Sequence, residues 1–480
     1  EPELHLRSVT LTAKDKICLC ETRECTPEAC PYANGYYARI KGALWDVLDV
    51  PCLTAETLQE YAERHMVCPF ELGLDSSLWS DVIIGDYNYL FDPVVHLVRF
   101  FESAGDYIFL VDEAHNLPGR AREMHSAALT KTSFYEAKKL LGKGKSSLKN
   151  ALTKVNDVFI EWRHRAEEET AARDGRFGKT FFLKERSEEF DHLLNRLCEP
   201  LEAWLDDHRE PDETHTALLQ LYFDVRAWLR VADTFDDHFV LQITASGSEV
   251  RAAQLCLDPS AFLADSFALG RAAVLFSATL APASYYKDLC GVPEARAVAL
   301  RSPFPAGNQG LFCIGNVSTR YKDRDASLAI VEESLATMVR ARCGNYLAFF
   351  PSYAYMEQAY AQFKEHCPEI NCIKQENAMD EQQKAAFLAQ FVPGPSQPLL
   401  GFAVMGGVFG EGVDLTGDRL IGVGIVGPGL PQVGPRQEQL RDYFEQTRGS
   451  GFDYAYRYPG MNKVLQAAGR VIRTPRDKGV

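Results

Sequence analysis

No stretch of this 480-residue chain approaches the ~20 consecutive apolar residues that a membrane-spanning helix needs. The opening Glu1-Pro2-Glu3-Leu4-His5 has none of the character of a signal peptide. These two absences predict a cytoplasmic protein with no membrane partner. A basic excess is also missing: 66 acidic residues outnumber 51 basic ones, for a net charge of −15. Indiscriminate nucleic-acid binding, which leaves a basic footprint, is therefore disfavoured. A local positive groove is not, because phosphate contacts need only a handful of Lys and Arg on one face. Paired Cys-x-x-Cys knuckles, the usual mark of structural zinc, do not occur. Internal repeats and low-complexity tracts are absent as well.

What is present fits a globular protein. The length suggests about three domains, and 46% hydrophobic residues is ordinary for a chain with real cores. Asp81-Val82-Ile83-Ile84-Gly85 and Tyr107-Ile108-Phe109-Leu110-Val111 are continuously apolar, as buried parallel strands are. From about 119 to 235 the pattern turns to long charged amphipathic helices. Phe190, Leu193, Leu194 and Leu197, in the stretch from Ser187 to Leu197, mark one buried helical face. Phe239 to Ile243 and Val250 to Leu257, joined through Ala245-Ser246-Gly247-Ser248, predict a β-hairpin. Strand-like runs return at 272–276, 346–350, 399–405 and 420–426 with helical segments between several of them. That alternation predicts βαβ units and a parallel sheet.

Four motifs are placed on these elements in one order. Asp112-Glu113-Ala114-His115 follows a strand, which is how nucleotide-hydrolysing α/β domains set a magnesium ligand beside a water activator. Ser277-Ala278-Thr279 follows the strand at 272–276, where a small hydroxyl tripeptide can link two lobes. Gly410-Glu411-Gly412-Val413-Asp414-Leu415 follows another strand, its glycines allowing close backbone approach to a ligand. Gln466-Ala467-Ala468-Gly469-Arg470-Val471-Ile472-Arg473 comes last. It is expected to offer two arginines three apart on one helix to a γ-phosphate.

In this order the motifs resemble the XPD/DinG family of iron–sulfur helicases of superfamily two, over nearly the whole chain. Asp86 to Pro93 is similar to that family's Tyr- and Asn-rich element, and Phe349-Phe350-Pro351-Ser352-Tyr353 to the opening of its second lobe. Ile472 between the arginines favours this family over DEAH-type RNA helicases. The stretch Ser318 to Arg324 and the cysteine spacing are similar to a bacterial branch. The resemblance implies an α/β fold of two RecA-like parallel-sheet lobes with two insertions in the first. The expected boundaries are 1–72 for an Fe–S insertion with a remnant of lobe one, 73–118 for lobe one with the acidic box, 119–265 for a helical arch insertion, 266–300 for the return of lobe one, and 301–480 for lobe two.

It further implies ATP and Mg²⁺ as reactants, with Asp112 holding the metal through water and Glu113 polarising the attacking water. Gln466, Arg470 and Arg473 would close on the triphosphate. His115, Thr279, Gly412 and Asp414 would couple nucleotide state to the DNA-facing side, and Ser352 and Tyr353 would touch the strand. The implied activity is 5′ to 3′ translocation by a monomer on single-stranded or forked DNA, in repair or replication. An RNA helicase, or a non-catalytic Fe–S or zinc DNA-binding protein, are the alternatives.

Six of the 13 cysteines lie in the first 68 residues. Cys18, Cys25, Cys30 and Cys68 are separated by six, four and thirty-seven residues. Such irregular all-thiolate spacing fits a [4Fe–4S] cluster, with zinc or reduced thiols as alternatives, and the family resemblance implies the cluster. Cys20 could replace Cys18, His65 would matter only for zinc, and Cys52 is expected to be a buried thiol. The phosphate loop G-x-x-x-x-G-K-[ST] is missing. Gly144-Lys145-Ser146 and Gly178-Lys179-Thr180 lack the leading glycine and follow the acidic box. The expectation is a chain beginning after the phosphate loop and stopping at Val480 before a last strand, inactive by itself although its parent is not.

Overall fold

The computed structural model describes residues 5–144, 146–172, 178–210, 212–410 and 415–480. Its backbone forms two compact units, Glu1–Gly105 and Asp106–Val480.

In the first unit, β1 (Ser8–Thr10), β2 (Cys52–Leu53) and β3 (Val82–Ile84) make a parallel sheet in the order β2-β1-β3. Helices α1 (Lys14–Ile17), α2 (Tyr36–Val47), α3 (Ala55–His65), α4 (Pro69–Ser76), α5 (Asn88–Phe91) and α6 (Val98–Phe101) accompany it. The Thr54 hydroxyl accepts the Thr57 amide at 3.3 Å to start α3, and Met66 in the left-handed region (φ 54°) ends it. Val9, Ile40, Leu58 and Leu72 share the core between sheet and helices.

The second unit opens with β4 (Ile108–Val111), paired in parallel with β9 (Ala272–Leu275). Between them, α7 (Leu117–Met124) leads into a mixed segment: β5 (Ala127–Thr130), α8 (Lys131–Leu140), α9 (Ser147–Ala172), β6 (Lys179–Leu183), α10 (Glu188–Asp207), α11 (Glu213–Thr234), β7 (Phe239–Ser246) and β8 (Glu249–Cys256). α10 is capped by Ser187, whose hydroxyl accepts the Phe190 amide, and it buries Phe190, Leu194 and Leu197, matching the sequence stripe. Phe190 packs edge-on to Phe159 and Trp228 at ring-centroid distances of 5.4 Å each, anchoring the helical core. β7 and β8 are the expected hairpin, turning at Gly247 (φ +61°). What the sequence did not reveal is that the hairpin is the centre of an antiparallel sheet, β5-β8-β7-β6, under the helices.

After α12 (Ser260–Ala268), β9 and α13 (Ala283–Leu289), the chain builds a second α/β body. Its elements are α14 (Arg324–Ala341), β10 (Asn345–Phe350), α15 (Tyr353–His366), β11 (Asn371–Lys374), α16 (Glu381–Ala389), β12 (Leu399–Val404), β13 (Gly422–Ile425), α17 (Pro435–Arg448), a π-helical turn (Asp453–Arg457) and α18 (Tyr458–Ala468). The sheet is wholly parallel, β11-β12-β10-β13, and every residue of β10 and β12 is buried. Continuous apolar sequence therefore does here what the parallel-sheet rule requires.

It does not do so at 82–84, 108–111 and 272–275, where buried strands were expected. Ile84 is 52%, Ile108 64%, Leu110 68% and Val274 50% exposed. The pairing is parallel as read, but apolar continuity selects a strand without supplying a layer for each face. On β4, alternate residues Ile108 and Leu110 face outward while Val111 is buried. Among the described residues, no helix is long and apolar enough to cross a membrane.

Candidate functional site

β4 delivers Asp112 and Glu113 at its carboxyl end, where the backbone is pulled into a tight turn. Glu113 adopts φ 44°, ψ 39°, a left-handed conformation uncommon for a residue with a side chain. Asp112 Oδ1 accepts the Glu113 amide at 2.7 Å, and the Ala114 amide reaches the Phe276 carbonyl at 3.1 Å. The second bond ties the acidic turn to the end of β9, so the small hydroxyl tripeptide that follows comes to the same place. Left-handed strain held by surrounding bonds is a feature of functional turns.

Four side chains then join end to end. Ser277 Oγ lies 2.7 Å from His115 Nδ1 and donates to Glu113 Oε2 at 3.1 Å. The Thr279 amide donates to Ser277 Oγ at 3.2 Å, with Thr279 itself buried. On the opposite edge of the buried His115 ring, Gln466 Nε2 stands 2.6 Å from Nε2. With the Gln466 amide nitrogen donating, His115 Nε2 must be the acceptor and the ring proton must sit on Nδ1. That tautomer can donate to Ser277 Oγ, which passes its own proton toward Glu113. His115 thus connects the acidic box to a helix residue 351 positions away.

The arginines require a correction. They were expected on a helix, but α18 ends at Ala468 and both lie beyond it. Gly469 caps the helix, and the Arg470 amide bonds the Ala467 carbonyl in a tighter turn. Asp477 Oδ2 then accepts the amides of Arg473 (2.8 Å) and Thr474 (2.7 Å), bending the chain away from helical geometry. Arg470 Nη2 donates to the Gly410 carbonyl at 2.5 Å, linking the arginine segment to the start of the Gly-rich motif. Gly412 and Asp414 lie outside the described residues. Ser352 caps α15 by accepting the Tyr355 amide at 3.4 Å, and Tyr353 receives Gln375 Nε2 on its hydroxyl at 2.6 Å. Both residues therefore have structural partners at the carboxyl end of β10. Lys179, in one of the phosphate-loop lookalikes, sits on β6 and pairs with Glu167 at 2.8 Å.

Within its tripeptide Ser277 carries no local mark of importance, yet it makes the central contact to both Glu113 and His115. Its signal was the strand preceding it, paired with the strand preceding Asp112. Gln375 was missed outright: it is buried, holds Tyr353, and accepts the Val404 amide at 3.0 Å.

The cysteines belong to the first unit and are described there alone. Cys20 and Cys30 place their sulfurs 3.9 Å apart, and both are partly exposed. Burial, then Cys30 and Cys18, push the Cys20 thiol up to about 11. Cys25 is exposed with its sulfur toward the Arg23 carbonyl, and Cys68 lies at the N-terminus of α4, its thiol raised by burial. All-thiol donors suit an iron–sulfur cluster chemically. The set Cys18, Cys25, Cys30 and Cys68 is not assembled as such, since no three His, Cys, Asp or Glu among the described residues are arranged to hold a metal ion. His65 is bound to Asp46 at 2.9 Å. Cys52 is exposed, against expectation, because β2 is an edge strand whose Leu53 takes the inward face.

Comparison with known proteins agrees with this architecture. The DEAD_2 family matches residues 4–134 and the helicase C-terminal domain family matches residues 335–480. A solved XPD helicase chain superposes with a TM-score of 0.57 at 18% identity, over 100% of this chain and 82% of that one. The S. tokodaii Xpd4 structure gives 0.57 at 16%, over 84% and 78%. The fold is thus the one these structures share, α/β with two RecA-like lobes. Among curated proteins, the ATP-dependent DNA helicase CHL1 of Coccidioides immitis is 22% identical over 88% of this chain and 56% of its own length. The general transcription and DNA repair factor IIH helicase subunit XPD of Schizosaccharomyces pombe is 24% identical over 89% and 65%. Together the two domain matches and these relatives support an XPD-type superfamily two helicase. The chain spans between about half and two thirds of the length of these two relatives.

Proposed function

We propose that the protein is an ATP-dependent DNA helicase that translocates 5′ to 3′ on single-stranded or forked DNA as a monomer in a bacterial cytoplasm, serving repair or replication. The observation that carries this reading is the bond between His115 and Gln466, which joins the acidic box to the arginine segment across the fold. In this reading Glu113 orients the attacking water, with Ser277 steadying its carboxylate. Asp112 holds the water shell of Mg²⁺, whose bound charge would offset that developing on the triphosphate. Arg470 and Arg473 supply cationic donors to the γ-phosphate, and Gln466 reports its presence to His115. Thr279, Gly412 and Asp414 transmit that state toward the strand, and Ser352 and Tyr353 border its path. The relatives named as DNA helicases and as a DNA repair factor support DNA over RNA. The cysteine-rich first unit is assigned a [4Fe–4S] cluster on Cys30, Cys25, Cys68 and either Cys18 or Cys20. The proposed divisions are 1–72, 73–118, 119–265, 266–300 and 301–480.

Glu113→Gln in the full-length protein tests the centre of this assignment. DNA-stimulated ATP hydrolysis is expected to disappear while nucleotide binding persists; undiminished turnover removes Glu113 from the mechanism. Hydrolysis stimulated by RNA and not by DNA would move the assignment to an RNA helicase.

A further inference from the structure

The first unit brings two thiols, Cys20 and Cys30, within reach of each other. Cys20 and Cys30 stand 3.9 Å apart at sulfur, about 1.9 Å more than a disulfide bond. Both are partly exposed, so a small reagent can reach them. The backbone from Leu19 to Gly35 contains no helix or strand to resist a shift of that size. Ten positions separate the two residues, so closing the loop costs little chain entropy. Cys25 lies between them in sequence but directs its sulfur at the Arg23 carbonyl, and Cys68 is held at the start of α4.

We propose that Cys20 and Cys30 are an oxidation site, closing to an intramolecular disulfide with a low-molecular-weight disulfide such as glutathione disulfide as oxidant. One protein thiolate attacks the reagent, forming a mixed disulfide and releasing one small thiol. The second protein thiolate then attacks the protein sulfur of that mixed disulfide and releases the other small thiol. Two protein thiols lose two electrons and their two protons, and one reagent disulfide gains them as two thiols. Because Cys30 is common to this pair and to the proposed cluster, the disulfide withdraws a ligand. A chain carrying it cannot hold the full cluster, so this consequence rests on the cluster assignment while the disulfide itself does not.

The test uses the intact protein, stripped of metal by a chelator and incubated anaerobically with glutathione disulfide. Loss of two hydrogens by intact mass, with fragmentation of the digested peptides linking Cys20 to Cys30, is the expected result. Cys20→Ser and Cys30→Ser should each abolish that linkage, whereas Cys25→Ser and Cys68→Ser should leave it at the parent yield. Far-ultraviolet dichroism shows whether each variant keeps its fold, and two separate variants guard against one that does not. Stable glutathione adducts on Cys20 with Cys30 free, or Cys30 linked instead to Cys18 or Cys25, would overturn the proposal. Iron and sulfide uptake by the fully reduced protein judges the cluster separately, so either assignment can fail alone.

Discussion

His115 shows what a single side chain contributes when it is buried between two motifs. Its Nδ1 edge meets Ser277 and Glu113, and its Nε2 edge meets Gln466. Removing either partner leaves the other with an unmet polar group, so the two changes cannot be independent. For His115→Ala and Gln466→Ala we expect each to lower DNA-stimulated ATP turnover in the full-length protein. A double-mutant cycle on kcat should give a coupling of about 0.5–3 kcal/mol, the range for contacting residues. Additive effects would mean that the contact plays no part in turnover. Much of this site was legible in advance, because Asp112, Glu113 and His115 announce themselves by following an apolar strand. Ser277 was not singled out, since one serine after one strand has no local mark of importance.

At the scale of elements, the helical layer of residues 131–234 depends on a carboxylate placed in its core. Asp191 on α10 is buried and accepts Trp228 Nε1 of α11 at 2.8 Å. Burial raises its carboxyl above the usual range, partly opposed by the Trp228 bond and Arg186 and reinforced by Asp233 and Glu188. The sign follows from linkage: a raised folded value means the charged form is penalised, so stability from this group is full below about 3.9 and lost as pH rises through the folded value. Asp191→Asn can keep the acceptor for Trp228 without the charge. Its thermal midpoint relative to the parent should therefore climb from acidic to neutral pH and then level off. A midpoint difference that does not change with pH would show that Asp191 is ionised without penalty. The same scale explains the misplacement of the arginines. The sequence from Gln466 to Arg473 contains no proline to stop a helix; Gly469 caps α18 after Ala468, and Asp477 then captures the amides of Arg473 and Thr474 from four and three residues ahead, holding the arginine segment out of helical geometry.

For the molecule as a whole, a net charge of −15 has to coexist with the proposed binding of a polyanion. Only a local row of cations can satisfy both, and such a row makes affinity depend on salt. Binding of full-length protein to single-stranded oligonucleotide should weaken with ionic strength, log affinity falling by about 0.7 per tenfold salt for each phosphate contact. Affinity indifferent to salt would exclude a backbone-tracking groove. The segment from β5 to β8 does not stand apart within the second unit. The outer face of its sheet, at Val240, Ala253 and Leu255, packs with Leu440 and Tyr443 of α17, and Asp258 lies 3.7 Å from Arg448. After Gly449 ends α17 in the left-handed region (φ 64°), the chain re-enters helix through the π-helical turn and α18, which carries Gln466. Tyr454 in that turn donates to Asp288 of α13 at 2.5 Å, a short distance downstream of Ser277. Packing therefore links the β5-β8-β7-β6 sheet to α17, and the π-helical turn to α13.

The chain by itself determined the kinds of elements and the order of the motifs along them. Apolar runs, helical stripes and capping residues act over a few positions, where sterics and periodicity leave little choice. Only the tertiary structure decided which strands are covered, where the last helix stops, and that Cys20 faces Cys30. It alone brought His115 and Gln466 to one hydrogen bond. Contacts across hundreds of residues depend on how whole layers stack, and no local pattern encodes that distance.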